Sequence, residues 1–265
     1  ALAAGLTLPG AAFAQTKIVI GIPTSPPNIV HMPPIVAKEL GLYKKAGIDA
    51  EIVSLGDGTK VFRALLAENI DFGLTPGAPT IIGRSNGANI KALTANLPKF
   101  EASMIVRAEI KTMEDLKGKR IGIQEPGGFA DILSRAVLRA AKIDPKEVNF
   151  VSIASEDVPA LVANQVDTAI LHVEQEMLAK SKVPDLHAIG RMWVLQPKTL
   201  YTFLSANEKT IKYKPALVQA VVSANIEATR IIYTDKAKIM PILVKQTGYP
   251  EKILSDSYDF MVKEC

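Results

Sequence analysis

From Lys17 onward, short apolar runs alternate with stretches whose apolar residues recur three and four positions apart. Residues 17–21 form the first apolar run, and a loop with three prolines follows between Ile22 and Pro27. Residues 35–43 carry the helical spacing and stop near Gly41 and Gly47, as helices do at glycine. Strands are expected over 50–55, 70–74 and 90–94, with a helix over 60–68. Gly56-Asp57-Gly58-Thr59 and Thr75-Pro76-Gly77-Ala78-Pro79 read as turns that open helices. The middle of the chain repeats the scheme. Strands are expected over 120–123, 148–153 and 166–171, and helices over 129–141 and 158–163. Thr112 to Asp115 looks like a capping box for a short helix ending at Gly118. After Ala206 only helical spacing remains, over 215–233, 236–247 and 250–263. Alternating strands and helices predict an α/β protein with mostly parallel sheets.

The two halves match each other. Residues 64–74 (ALLAENIDFGL) align with 160–170 (ALVANQVDTAI): helix end, polar break, then a strand with an acid at its start. Gly21-Ile22 pairs with Gly122-Ile123, and Ala46-Gly-Ile-Asp49 with Ala141-Lys-Ile-Asp144. Three matches in the same order indicate a duplicated unit, hence two lobes. Open parallel sheets bind ligands beyond the carboxyl ends of their strands, so facing lobes would share one cleft able to close on a small molecule.

Composition narrows the function. With 48% hydrophobic and 22% charged residues, the 265-residue chain has the material for a packed core and is not of the disordered type. The net charge of +4 is spread among acids, which suits solubility better than a nucleic-acid partner. One cysteine, Cys265, excludes an internal disulfide and a cysteine-rich zinc site. His31, His172 and His187 lie at no metal-ligand spacing, so neither metal nor cofactor is expected. Residues 1–15 are apolar, small and uncharged, with Ala12-Phe13-Ala14 fitting a signal peptidase site. They read as the remnant of a secretory signal peptide, implying export to the periplasm. The basic segment that opens such a peptide is missing, so the chain is expected to begin inside it.

Catalytic patterns are weak. Gly83-Arg-Ser-Asn-Gly87 fits G-x-S-x-G, but a helix precedes Ser85 where a nucleophile elbow needs a strand. The segment reads instead as a helix end with Gly87 as its stop. There is no G-x-G-x-x-G, and Gly118-Lys-Arg lacks the upstream glycine of a phosphate loop.

The strand-end loops remain as candidates for ligand contact. The first half offers Ser25, Asn28, His31, Asp57, Thr59, Thr75 and the backbone at Gly77. The second offers Gln124, Gly127, Gly128, Phe129, His172 and Glu174, with Ser155 and Asp157 between them. Free N–H groups at the helix starts suit a carboxylate, a sulfonate or another polar group. Each candidate has a plainer use. Ser25, Thr59 and Thr75 fit helix caps equally well, and Asp57 fits a turn residue. Phe129 could belong to the core, and Glu174 to a solvated helix face. Trp193 reads first as a packing residue. No Arg stands in these loops while Asp57, Asp157 and Glu174 do, which tilts the expected solute toward a neutral, aromatic or partly cationic compound.

Four segments carry a family resemblance: residues 17–21 with the His31 loop, 36–49 (VAKELGLYKKAGID), 64–73 and 115–122 (DLKGKRIG), supported by 163–169. The chain resembles the periplasmic solute-binding proteins of ABC importers, in the branch that holds nitrate, taurine, aliphatic-sulfonate and thiamine-pyrimidine binders. The resemblance implies two lobes of the type II kind, joined by two crossover strands that serve as a hinge near 102–107 and 200–206. Lobe one would comprise 16–101 and 207–265, lobe two 102–206, with the C-terminal helices packed on lobe one. It implies a non-catalytic monomer that passes a small-molecule solute to an ABC permease. The family's acidic residue after the last strand of lobe two falls on Glu174, but Val173 and Gln175 replace its usual Trp and Pro neighbours. Family members run further at the C-terminus, so the chain is expected to stop early. Two other readings share the architecture. A pyrimidine-precursor synthase of this fold uses a cysteine-rich iron motif that the sequence lacks. A transcription-regulator effector domain would follow a DNA-binding helical segment, and the apolar start is of another kind.

Overall fold

Ile18, Ile20 and Ile22 alternate onto one buried face of the first strand, and the same period-two logic sets the rest of two sheets. The computed structural model describes residues 15–95, 97, 99–153, 157–196 and 200–264. The expected signal remnant up to Ala14, Ser155 and Cys265 lie outside the described residues. The first half runs β1 (Thr16–Ile22), α1 (Met32–Glu39), α2 (Leu42–Lys45), β2 (Ile48–Ser54), α3 (Gly58–Leu66), β3 (Phe72–Pro76), α4 (Gly77–Ser85) and β4 (Ile90–Ala95). The second runs β5 (Ala102–Val106), β6 (Arg120–Ile123), α5 (Phe129–Ala140), β7 (Asn149–Ser152), α6 (Asp157–Val162), β8 (Thr168–His172), α7 (Val173–Lys182), β9 (His187–Arg191) and α8 (Met192–Leu195). The chain then continues through β10 (Thr202–Asn207), α9 (Glu208–Tyr213), α10 (Pro215–Thr234), α11 (Lys236–Thr247) and α12 (Glu251–Glu264).

The strands form two five-stranded sheets, ordered β2-β1-β3-β10-β4 and β7-β6-β8-β5-β9. β1 runs parallel to β2 and β3, and β6 parallel to β7 and β8. The fourth position of each sheet is taken by an antiparallel strand: β10 in the first and β5 in the second. The chain therefore crosses between lobes twice, from β4 to β5 and from β9 to β10. Pairing corrects one expected boundary. The resemblance places residues 202–206 in lobe two, yet β10 bonds to β3 and β4 of the first sheet. Its apolar content alone does not say which sheet has the vacant position.

The internal repeat has a physical basis. Asp71 Oδ2 accepts a hydrogen bond from Val19 N at 2.9 Å, and Asp167 Oδ2 accepts one from Arg120 N at 2.7 Å. Each acid thus ties the start of a central strand to its neighbour. The turn before each acid uses a left-handed residue, Glu68 (φ 58°) and Asn164 (φ 59°). A Cβ on Gly21 would lie 2.7 Å from Ile70 Cδ1, and one on Gly122 would lie 2.6 Å from Ile153 Cδ1, so a methyl at either place would have to displace the covering side chain.

The largest core cluster runs from Ile18 and Phe72 in the first sheet through Ala102 and Tyr201 to Ile121 and Ile170 in the second. α10 packs against α1 and α2 of lobe one, as expected. α12 departs from the expectation by lying against α7 of lobe two. Ser257 Oγ donates to Met177 Sδ at 3.2 Å, and the Phe260 and Trp193 rings meet edge to face at 5.9 Å. The last helix bridges both lobes because its apolar residues Leu254, Tyr258 and Met261 bury against the shared core.

Candidate functional site

The loops after β1, β2, β6 and β7 and the end of β8 converge between the lobes. They bring Asn28, His31 and Asp57 opposite Gln124, Phe129, Asp157 and His172. Together with Thr24, Tyr201 and Thr202 they wall a cavity with about 510 Å³ of empty space, its open mouth included.

Aromatic rings shape the chamber. Phe129 and His172 stack in parallel, 5.1 Å between centroids and 3° between planes. Tyr201 tilts against Phe129 at 5.0 Å and against Phe100 at 5.3 Å. His31 meets the edge of His172 at 6.0 Å.

A directed chain of hydrogen bonds joins these rings. His172 Nδ1 contacts Glu101 Oε1 at 2.5 Å. Burial alone would lower the His172 value, but the Glu101 carboxylate, with Glu174 and Asp157 nearby, raises it to about 9. Both of its nitrogens then donate. His172 Nε2 reaches the Tyr201 hydroxyl at 3.4 Å, and that hydroxyl donates to His31 Nε2 at 3.3 Å. Burial, and then the charge on His172, hold His31 well below its ordinary value, so it is neutral and its Nδ1–H points to Thr24 Oγ1 at 3.3 Å. Thr24 donates to Asn28 Oδ1 at 3.0 Å, and Asn28 Nδ2 to Glu174 Oε1 at 3.1 Å. This assignment of donors satisfies every link.

The expected free amides at the helix starts are already engaged. Glu174 Oε1 accepts from Ile29 N, Asp57 Oδ1 from Thr59 N, Asp131 Oδ2 from Gly127 N and Glu101 Oε2 from Val173 N. Gly77 N donates to the Tyr201 carbonyl at 2.9 Å. Four of these five amides therefore carry a carboxylate of the protein itself. The N–H groups of Gly77 and Gly127 thus have partners within the protein.

Of the other candidates, several stand back from the chamber. Thr75 is buried beneath it, its Oγ1 2.6 Å from Ser205 Oγ in the neighbouring strand β10. Thr59 belongs to the first turn of α3 and does not line the wall. Ser25 is exposed at a polar side pocket that shares Thr24, Asn28, Gln124 and Asp157 with the chamber. Gly77 sits where a Cβ would come 2.4 Å from the Leu200 carbonyl. Gly128 lies across the cleft from Asp57, whose Oδ2 would be 3.0 Å from a Cβ. Glu174 is fully buried behind the wall and not on a solvated face. Ser85 ends helix α4 and donates to the Ile82 carbonyl, as a helix end would.

Sequence reasoning missed Glu101, Phe100, Thr24 and Tyr201. Glu101 directly precedes β5 and Tyr201 directly precedes β10, the two strands that follow the crossings. Their equivalent positions were the available signal. Among the described residues no group of His, Cys, Asp and Glu is placed to hold a metal ion.

A family model described as NMT1/THI5 like matches residues 28–238. The chain belongs to the NMT1/THI5-like family. This NMT1/THI5-like protein is 30% identical over 196 residues to a putative binding protein of Brucella abortus, covering 73% of the chain and 60% of that relative's length. A Legionella pneumophila protein named 4-amino-5-hydroxymethyl-2-methylpyrimidine phosphate synthase is 26% identical over 145 residues, covering 54% of the chain and 45% of that protein. The periplasmic aliphatic sulphonate binding protein of Escherichia coli shares the fold, with TM-score 0.75, 19% identity and coverage of 93% and 84% of the two chains. The two-lobe architecture of the NMT1/THI5-like chain is thus that of periplasmic binding proteins.

Proposed function

We propose that this NMT1/THI5-like protein is the solute-capturing component of an ABC importer. It works in the periplasm as a monomer, closes its lobes on a small organic solute and hands it to a membrane permease. The observation that carries this reading is the chamber between the lobes, roofed by residues of both and lined with ring faces. The ring side chains that could do chemistry there are occupied: His31, His172 and Tyr201 each spend their polar atoms on one another or on Glu101 and Thr24. Such a set orients and encloses without offering a free base or nucleophile. Kinship with the sulphonate-binding fold supports the same reading.

The test is small-angle scattering of the purified protein with and without the compounds that co-purify with it, identified by native mass spectrometry. Compaction on rebinding is expected. Turnover of the bound compound, or unchanged dimensions with a compound demonstrably bound, would overturn the assignment.

A further inference from the structure

We propose that Glu101 is a positioning residue for solute capture: standing behind the chamber wall without touching the solute, it fixes the His172 ring whose face and edge shape that wall. This rests on the solute-binding reading above and names the residue that orders its site.

Sheet register puts Glu101 in place. β5 and β8 run antiparallel with Ala102 opposite His172, so the residue before Ala102 comes opposite Val173. Glu101 is buried and does not line the cavity. Its Oε1 takes His172 Nδ1 at 2.5 Å, and its Oε2 accepts from Val173 N at 3.2 Å. One carboxylate thus holds the ring at one corner and the backbone of the next residue, where β8 turns into α7. A side chain locked by a supporting group in this way keeps its rotamer before any ligand arrives.

What is held is a structural part of the chamber. His172 lies parallel to Phe129, and its Nε2 reaches the Tyr201 hydroxyl, which leads on to His31. All four rings line the cavity. A turn of the imidazole about its Cβ–Cγ bond would break the stack on Phe129 and the link to Tyr201 together. The other acids near the ring do not replace Glu101. Glu174 and Asp157 act on it through charge alone. Glu174 Oε1 is taken by Asn28 and Ile29 N, and Asp157 Oδ1 by Gln124.

The two contacts also separate position from charge. In Glu101→Gln the amide oxygen can accept from Val173 N while the amide N–H donates to an unprotonated His172 Nδ1, leaving Nε2–H on Tyr201. The ring then keeps its place and loses its charge. Glu101→Ala removes both supports.

The experiment compares wild type, Glu101→Gln and Glu101→Ala by two readouts. Nitrogen-15 NMR of ring-labelled histidine at pH 7.5, assigned through His172→Gln, reports which His172 nitrogens carry protons. Native mass spectrometry after identical dialysis reports the fraction of each protein that still carries the compound co-purifying with wild type. Wild type is expected to show both ring nitrogens protonated, since Glu101 holds the His172 value at about 9 against the opposing effect of burial. Glu101→Gln should show a proton on Nε2 alone and a carried fraction within threefold of wild type. Glu101→Ala, folded by its thermal transition, should carry at least tenfold less. Equal fractions in wild type and Glu101→Ala, a Gln variant that loses as much as Ala, or the same His172 ring signals in all three proteins would overturn the proposal. If Glu101→Ala does not fold, the ring signals and carried fraction of Glu101→Gln decide. A wild-type protein that carries no compound counts against the solute-binding reading, and the ring signals then decide the role of Glu101 by themselves.

Discussion

Asn28 of lobe one and Glu174 of lobe two meet in a buried hydrogen bond of 3.1 Å, and the same carboxylate oxygen accepts from Ile29 N. The contact ties the loop after β1 to the start of α7 without any solvent access to Glu174. Removing the carboxylate strands two buried donors. Glu174→Ala is expected to lower stability by about 2–4 kcal/mol, and Glu174→Gln by less than half as much, because an amide oxygen can still accept. Urea unfolding of both variants measures this, and equal losses would show that the acceptor is not the cause.

The His172–Glu101 pair makes stability depend on pH. Burial opposes the imidazolium, yet Glu101 holds the folded value at about 9 against an ordinary 6.5. The folded state therefore keeps a proton that the unfolded state releases across that interval. The resulting stability is complete below pH 6.5 and is lost as pH rises through about 9. Thermal midpoints are expected to fall between pH 6.5 and 9.5, and His172→Gln to flatten that slope. A slope unchanged in the variant would assign the effect to other groups.

Gly128 has φ −78°, so its lack of a side chain is not a matter of backbone strain. A methyl there would come 3.0 Å from Asp57 Oδ2 and from the Glu125 carbonyl. Gly128→Ala is expected to wedge the lobes apart, weakening solute binding at least tenfold with a thermal midpoint close to wild type. Scattering should show a larger radius in the presence of solute. Wild-type affinity would mean that the lobes close without this approach.

Trp193 lies outside the chamber. It packs on Phe260, with the Arg191 guanidinium 5.3 Å above the ring. Its fluorescence is expected to report the seat of α12 on lobe two. Phe260→Ala should shift the emission to longer wavelength while solute affinity changes less than threefold. An emission maximum that stays put would place the indole in other surroundings.

Much of the fold could be read locally. The 64–74 and 160–170 match works because Asp71 and Asp167 perform one task, bonding the neighbouring strand, and because Glu68 and Asn164 turn the chain in the same way. Such roles depend on residues close in sequence or on a single partner strand. The site was legible wherever a residue sits at a strand's carboxyl end, as with Asn28, His31, Asp57, Gln124, Phe129 and His172. Thr75 failed that rule because the side chain at the end of β3 points into the layer shared with β10.

The sequence by itself determined the strand and helix rhythm, the duplication and the loops that face the cleft, since periodicity and turn chemistry are local properties. Only the tertiary structure decided that β10 completes the first sheet, that α12 spans both lobes and that the Ile29 and Val173 amides are closed by carboxylates from distant segments. Glu101 lies 72 residues from the Val173 amide it caps, and Glu174 lies 145 residues from that of Ile29. Whether an amide is free or taken is settled by packing across such separations, where no local pattern records the partner.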